Sequence, residues 1–249
     1  AVLRLPEPPR GGAERPLGGA AQPTRADYAA LLRTPSYRYA VAGYTLFNFA
    51  VGGLSYWMPA FLVRLHGVPV AEAGVTVGAI TVLGGLVGVL AGGWLGDRVQ
   101  ARAAGGYFLV SGAGMLLATP VAVFALLAPD AASVYPAILL AEILLYLNTA
   151  PLNAVVVNVT RPQVRATAIA LHTFVIHALG DVISPPLIGH LSDRIGLRPA
   201  TLLTAVAIAL SGLVLLAGAR HLPADLARMA GGRAGGRSGR PGTSSGSGA

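Results

Sequence analysis

Six long apolar stretches separated by short polar turns set the pattern of this chain. They run over 39–63, 71–95, 107–127, 134–157, 166–191 and 199–219. Each is close to the ~20 residues that a helix needs to cross the hydrocarbon core of a bilayer. The pattern therefore predicts an all-α membrane protein of six transmembrane helices. Residues 1–37 are rich in Pro, Gly, Ala and Arg and lack a periodic apolar face. They predict a mostly disordered loop, with a short interfacial helix over 28–33 that Thr34-Pro35 ends. The low-complexity stretch from 221 to 249 predicts a disordered tail. The expected organisation is a loop over 1–37, a six-helix domain over 38–220 and a tail over 221–249.

Within the fifth stretch the apolar run is interrupted by His172, His177 and Asp181. An ionisable side chain at bilayer depth costs several kcal/mol unless it faces a partner, water or a substrate. His177 and Asp181 are four apart, so a helix brings them to one face where they can pair. They can sense protons or a head group, or simply fix a kink. Pro185 and Pro186 follow and deprive the preceding carbonyls of their usual donors. In the fourth stretch Glu142, Tyr146 and Asn153 stand at i, i+4 and i+11, near one face. They can line a central cavity, with Glu142 as a proton-sensitive carboxylate, or Glu142 can be satisfied by a neighbouring helix. Asn48 in the first stretch is a further cavity candidate.

Composition narrows the class. Hydrophobic residues make up 54% of the chain and charged residues 11%, against about 25% charged in soluble domains. With no cysteine, disulfides, thiolate metal sites and cysteine nucleophiles are excluded. The net charge of +8 rests on 18 basic residues, all arginine. Arg4, Arg10, Arg15, Arg25, Arg33 and Arg38 precede the first stretch. Arg98, Arg102, Arg161 and Arg165 lie in the second and fourth loops, and Arg220, Arg228, Arg233, Arg237 and Arg240 in the tail. Only Arg64, Arg194 and Arg198 fall on the other side. The positive-inside rule then puts both ends in the cytoplasm. This distribution accounts for the basic charge without a nucleic-acid partner. Arginine-only basic usage with abundant Ala and Gly points to a GC-rich bacterium and its inner membrane. The start at Ala1, with no signal-peptide pattern, suggests a fragment. No phosphate loop, HExxH, GxSxG or metal-ligand spacing is present, so neither an enzyme, a cofactor nor a metal site is expected.

The sharpest motif is Gly93-Trp94-Leu95-Gly96-Asp97-Arg98, followed by Arg102, at the end of the second stretch. Asp97 can accept hydrogen bonds from a neighbouring helix N-terminus while the arginines anchor the loop. Here the chain resembles the major facilitator superfamily, which carries a G-x-L-x-D-R-x-x-x-R pattern in such a loop. The resemblance implies a conformational latch built from Gly93, Asp97, Arg98 and Arg102. It also implies a fold of two six-helix halves, of which six spans with cytoplasmic ends match the second. The partner is then a first six-helix half, absent from this chain.

A narrower resemblance follows from Glu7-Pro8-Pro9-Arg10-Gly11, the run over 147–168, and His177-Ala178-Leu179-Gly180-Asp181. Ser184-Pro185-Pro186-Leu187-Ile188-Gly189 and Ser192-Asp193-Arg194 continue it. These segments are similar to the Spinster family of facilitators. That resemblance implies alternating-access, proton-coupled movement of a lysolipid-like or amphipathic anionic substrate. The family's credited coupling carboxylate and arginine lie in the first half and have no counterpart here. The expected pathway residues are Asn48, Glu142, Tyr146, Asn153, His177 and Asp181. Two other readings stay open: a facilitator for drugs, sugars or other small solutes, and a non-transporting module that binds membrane lipid.

Overall fold

The computed structural model describes residues 24–238, with side chains over 24–231. Among the described residues six spans are long and apolar enough to cross a bilayer. They are α2 (Pro35–His66), α3 (Val70–Gln100), α4 (Gly106–Leu127), a fourth over 131–158, a fifth over 162–195, and α9 (Leu197–Gly218). The fourth is broken into α5 (Ala131–Tyr146) and α6 (Thr149–Asn158). The fifth comprises α7 (Arg165–Ile176), one π turn (His177–Asp181) and α8 (Ser184–Ile195). Two shorter helices, α1 (Arg25–Arg33) and α10 (Leu222–Ser238), flank the bundle.

Small residues decide which helices touch. In a membrane the lipid is as apolar as the helix, so close backbone approach and interhelical hydrogen bonds drive association. At the α4–α9 crossing, a Cβ on Gly112 would stand 2.9 Å from the Gly212 carbonyl oxygen, and one on Gly212 3.1 Å from that of Gly112. The Ser211 hydroxyl donates to the Gly43 carbonyl at 2.7 Å and ties α9 to α2. Gly84, Gly88, Gly92 and Gly96 are spaced four apart on α3, and all four are buried against the α5–α6 span. The spans over 70–100 and 162–195 are only 22% buried, whereas the other four reach 44–50%. Their uncovered sides carry Val82, Leu86, Leu90, Phe174, Val182 and Leu187.

Both flanking helices depart from the sequence expectation. The helix expected over 28–33 begins at Arg25, because the Asp27 carboxylate accepts both the Thr24 N–H (2.9 Å) and the Thr24 hydroxyl (2.7 Å). The first span starts at Pro35 rather than 39, since proline at a first helical position sacrifices no hydrogen bond. The tail is corrected more substantially: 222–238 is helical. Leu222 is fully buried and Asp225 is 3% exposed, so two anchors precede the Gly/Arg run that reads as disordered. Asp225 Oδ2 accepts the Ser36 N–H at 2.9 Å and caps α2 from another helix. The neighbouring Thr34 does not do so; its hydroxyl is turned back to donate to the Ala30 carbonyl. The expectations for 1–23 and 239–249 lie outside the described residues.

Candidate substrate and proton site

Pro185 and Pro186 lack the N–H groups that would reach the Asp181 and Val182 carbonyls. The helix resets its register just before them, with the Val182 N–H donating to the His177 carbonyl five residues back at 3.1 Å. Such single π turns widen a helix locally and re-aim its side chains. The turn fits against α2 through two glycines. A Cβ on Gly180 would stand 2.7 Å from the Asn48 Cβ, and one on Gly52 2.8 Å from the Asp181 Cα. The Trp57 indole N–H adds a 2.9 Å bond to the Pro185 carbonyl.

On the outer side of the turn the expected pair forms. His177 Nδ1 lies 2.5 Å from Asp181 Oδ2, with the side chains 55% and 37% exposed. The pair thus combines a charge-assisted contact with an open approach, in the middle of a 34-residue apolar span. An imidazole and a carboxylate so placed can exchange a proton or engage a polar head group.

The other candidates do not all join it. Asn48 is buried against Gly180, and its Nδ2 has no hydrogen-bond partner. Glu142 is also buried and turns into the bundle, its Cβ facing Gly84. Its Oε2 is unpartnered, beside a cavity of about 20 Å³ walled by Leu54, Met58, Val77, Leu126 and Ile138. It thus faces the interior of this half, but no neighbouring helix satisfies that oxygen. Tyr146 is half-buried, edge-on to Phe47 with ring centroids 5.6 Å apart. Asn153 is exposed, beyond the break between α5 and α6. Glu142 and Tyr146 keep the face expected of them, their Cβ atoms lying against Gly84 and Gly88 of α3, whereas Asn153 is set apart from it by the interruption at 147–148.

At the α3–α4 turn, Asp97 Oδ1 accepts the Tyr107 hydroxyl at 2.9 Å, a side-chain donor rather than the helix N-terminus expected. That N-terminus is served by Gln100, whose Oε1 accepts the Tyr107 N–H at 3.0 Å while its Nε2 donates to the Ala104 carbonyl at 3.0 Å. Arg98 lies over the Trp94 ring at 5.1 Å, Arg102 is exposed, and Gly93 packs near the Ala150 methyl. Gln100 and Tyr107 escaped sequence reasoning, although a glutamine just after the Asp-Arg pair is a usable signal for a cap. His172 and Tyr44 were also missed as a pair: their rings stack with centroids 5.2 Å apart. Among the described residues no three His, Asp or Glu side chains converge as a metal would require.

Six apolar helices around glycine-lined crossings, with a polar pair on an open face, define an integral membrane protein. The Major Facilitator Superfamily profile matches residues 1–185, and the chain belongs to that superfamily. Within it the sequence is Spinster-like. It is 34% identical over 186 residues to a probable sphingolipid transporter, spinster homolog 3 of Arabidopsis thaliana, covering 73% of this chain and 35% of the relative. It is also 34% identical over 210 residues to protein spinster homolog 3 of Danio rerio, covering 78% of this chain and 42% of the relative. The fold is similar to the crystal structure of a bacterial homolog of the human lysosomal transporter Spinster, in an inward-facing, unoccupied conformation. The TM-score is 0.72 at 21% identity, over 90% of this chain and 56% of that one. The chain thus spans less than half the length of these curated relatives. The Arabidopsis relative is named a probable sphingolipid transporter, and the solved structure is a homolog of a lysosomal transporter.

Proposed function

We propose that this bundle is the second half of an alternating-access transporter that moves a lysolipid-like or amphipathic anionic substrate with proton coupling. The observation that carries the proposal is the His177–Asp181 pair, held at 2.5 Å on the open side of an apolar span. Such a pair is expensive in lipid and is retained where a substrate or proton must be met at depth. The partner is a first six-helix half, and the two rock about a midplane site in contact with membrane lipid. The name of the Arabidopsis relative supports a lipid-like substrate. We assign Asn48, Glu142, Tyr146 and Asn153 to the same pathway. Gly93, Asp97, Arg98 and Arg102 act as the latch between conformations. The arginine distribution supports an inner-membrane protein with both ends of this segment in the cytoplasm.

The test uses the intact protein in liposomes, with lysophospholipid on one side, with and without a pH gradient. Gradient-dependent movement that His177→Ala or Asp181→Asn abolishes, with membrane insertion unchanged, is the expected result. Wild-type rates in Asp181→Asn would overturn the assignment of the pair. No movement by the wild-type protein would remove the substrate.

A further inference from the structure

The seam where α2 meets α7, the π turn and α8 is an unusual place for polar atoms. His172 is 2% exposed, Asn48 8% and Ser184 0%. Both His172 ring nitrogens, Asn48 Nδ2 and Ser184 Oγ have no hydrogen-bond partner. Buried polar atoms are nearly always satisfied, by protein or by ordered water, because leaving one unmet costs about 1–3 kcal/mol. Four unmet atoms on one seam therefore call for something that fits between the helices.

They also form a sequence along α2. The Tyr44 ring stacks on His172, Asn48 stands one turn on against Gly180, and Gly52 one turn further against Asp181 and Ser184. The row ends at the His177–Asp181 pair. These atoms are already covered by helices of this half, so neither a second half nor a lipid-sized substrate reaches them without parting α2 from α7. Whatever meets them must be as small as water or a proton. A neutral imidazole can pass a proton along such a row, because it accepts one on one ring nitrogen and releases one from the other.

We infer that this seam is a hydrated proton path, with His172 as the relay between the Arg165 end of the fifth span and the His177–Asp181 pair. The path rests on the proton-coupled reading above and adds its route. The titratable and charged groups around His172 are Tyr44 from α2, Tyr37 one turn away at the Ala168 carbonyl, His177 and Asp181 in the π turn, Arg165 two turns away on α7, and Tyr146 of α5 behind Phe47. Asn48 and Ser184 hold water along the row without titrating.

Two measurements on the intact protein in liposomes test this. The first is water-edited solid-state NMR of ¹⁵N-labelled histidines, with the His172 signal assigned by its loss in His172→Phe. The His172 ring signal should grow in from water about as fast as that of the exposed His190. A ring that stays dry overturns the path. The second is transport by His172→Phe, which keeps the aromatic stack on Tyr44 but carries no proton. Gradient-driven movement of lysophospholipid should fall at least tenfold while exchange without a gradient is unchanged. Unaltered gradient-driven movement overturns the relay, because a ring that only packs loses nothing on becoming phenylalanine. If the wild-type protein moves no lysophospholipid, the substrate reading falls, while the NMR result still stands for or against the seam.

Discussion

Gly92 on α3 lies directly against the main-chain carbonyl of Leu147, leaving no room for a Cβ between them. Pro151, four residues after Leu147, has no N–H to offer that carbonyl. The break between α5 and α6 thus sits where a proline withdraws a donor and a glycine lets a neighbouring backbone close in. The π turn repeats the device: Pro185 withdraws the donor for Asp181, and Gly52 admits its backbone. In both places the helix interruption is held by an uninterrupted helix alongside it.

Gly92→Ala should therefore destabilise the protein by about 1–3 kcal/mol, the usual range for overpacking a filled interface. Gly85→Ala, seven residues away, is the control. Its new methyl would meet only the Tyr146 ring at 3.8 Å, an ordinary contact. It should be neutral or stabilise by up to about 1 kcal/mol, from the lower entropy of alanine in a helix. Thermal unfolding in one detergent measures both. Equal midpoints would show that α3 can shift away from Leu147.

The spans and the His177–Asp181 pair were legible in the sequence because both depend on local facts. Twenty apolar residues in a row need no tertiary information to read, and a four-residue spacing brings two side chains together even through a π turn. The orientation of Glu142 was not legible, since it depends on Gly84 of another helix. Nor was α10. Its anchor, Asp225, caps an N–H that is 189 residues away in sequence, and the glycines and arginines that follow hide it. The buried row at His172, Asn48 and Ser184 emerges only once α2 is laid against the fifth span.

Asp225→Ala should loosen α10 from the bundle. The substitution removes the acceptor for the Ser36 N–H at 2.9 Å and the partner of Arg228 at 3.3 Å. Losing a helix cap costs about 1 kcal/mol. That raises the open population of α10 about fivefold, and trypsin cleavage after Arg228 should accelerate in step. Asp225→Asn keeps an acceptor oxygen and should fall between the two. Identical cleavage of all three proteins would show that Leu222 alone secures the helix.

Trp57→Phe should weaken the hold of α2 on the start of α8. The indole N–H donates to the Pro185 carbonyl at 2.9 Å, and a Cβ on Gly189 would stand 2.8 Å from the same ring. Losing the bond costs about 1 kcal/mol net, which lowers the unfolding midpoint by about 2–4 °C in a chain of this size. Trp94 is then the single remaining tryptophan, so fluorescence also reports whether the α3 end is disturbed. An unchanged midpoint would mean that packing of the ring against Gly189, which phenylalanine largely keeps, is what matters.

The docking of α1 should depend on acid, and the sign follows from Asp27. The Thr24 N–H and hydroxyl hold its carboxyl below the usual carboxylate range, and the Arg161 guanidinium at 2.8 Å adds to this. A carboxyl whose folded value is depressed contributes stability above its unfolded value of about 3.9. It loses that contribution as pH falls through the lower folded value. The α1 contact should thus be fully present from neutral pH to about 4 and disappear below it. A spin label on the exposed Ala29, read from pH 6 down to 2.5, should gain mobility only at the acid end. Arg161→Gln removes one of the stabilising charges, so its transition should begin at higher pH. A label mobile at every pH, or a transition that Arg161→Gln leaves in place, would detach α1 from this ion pair.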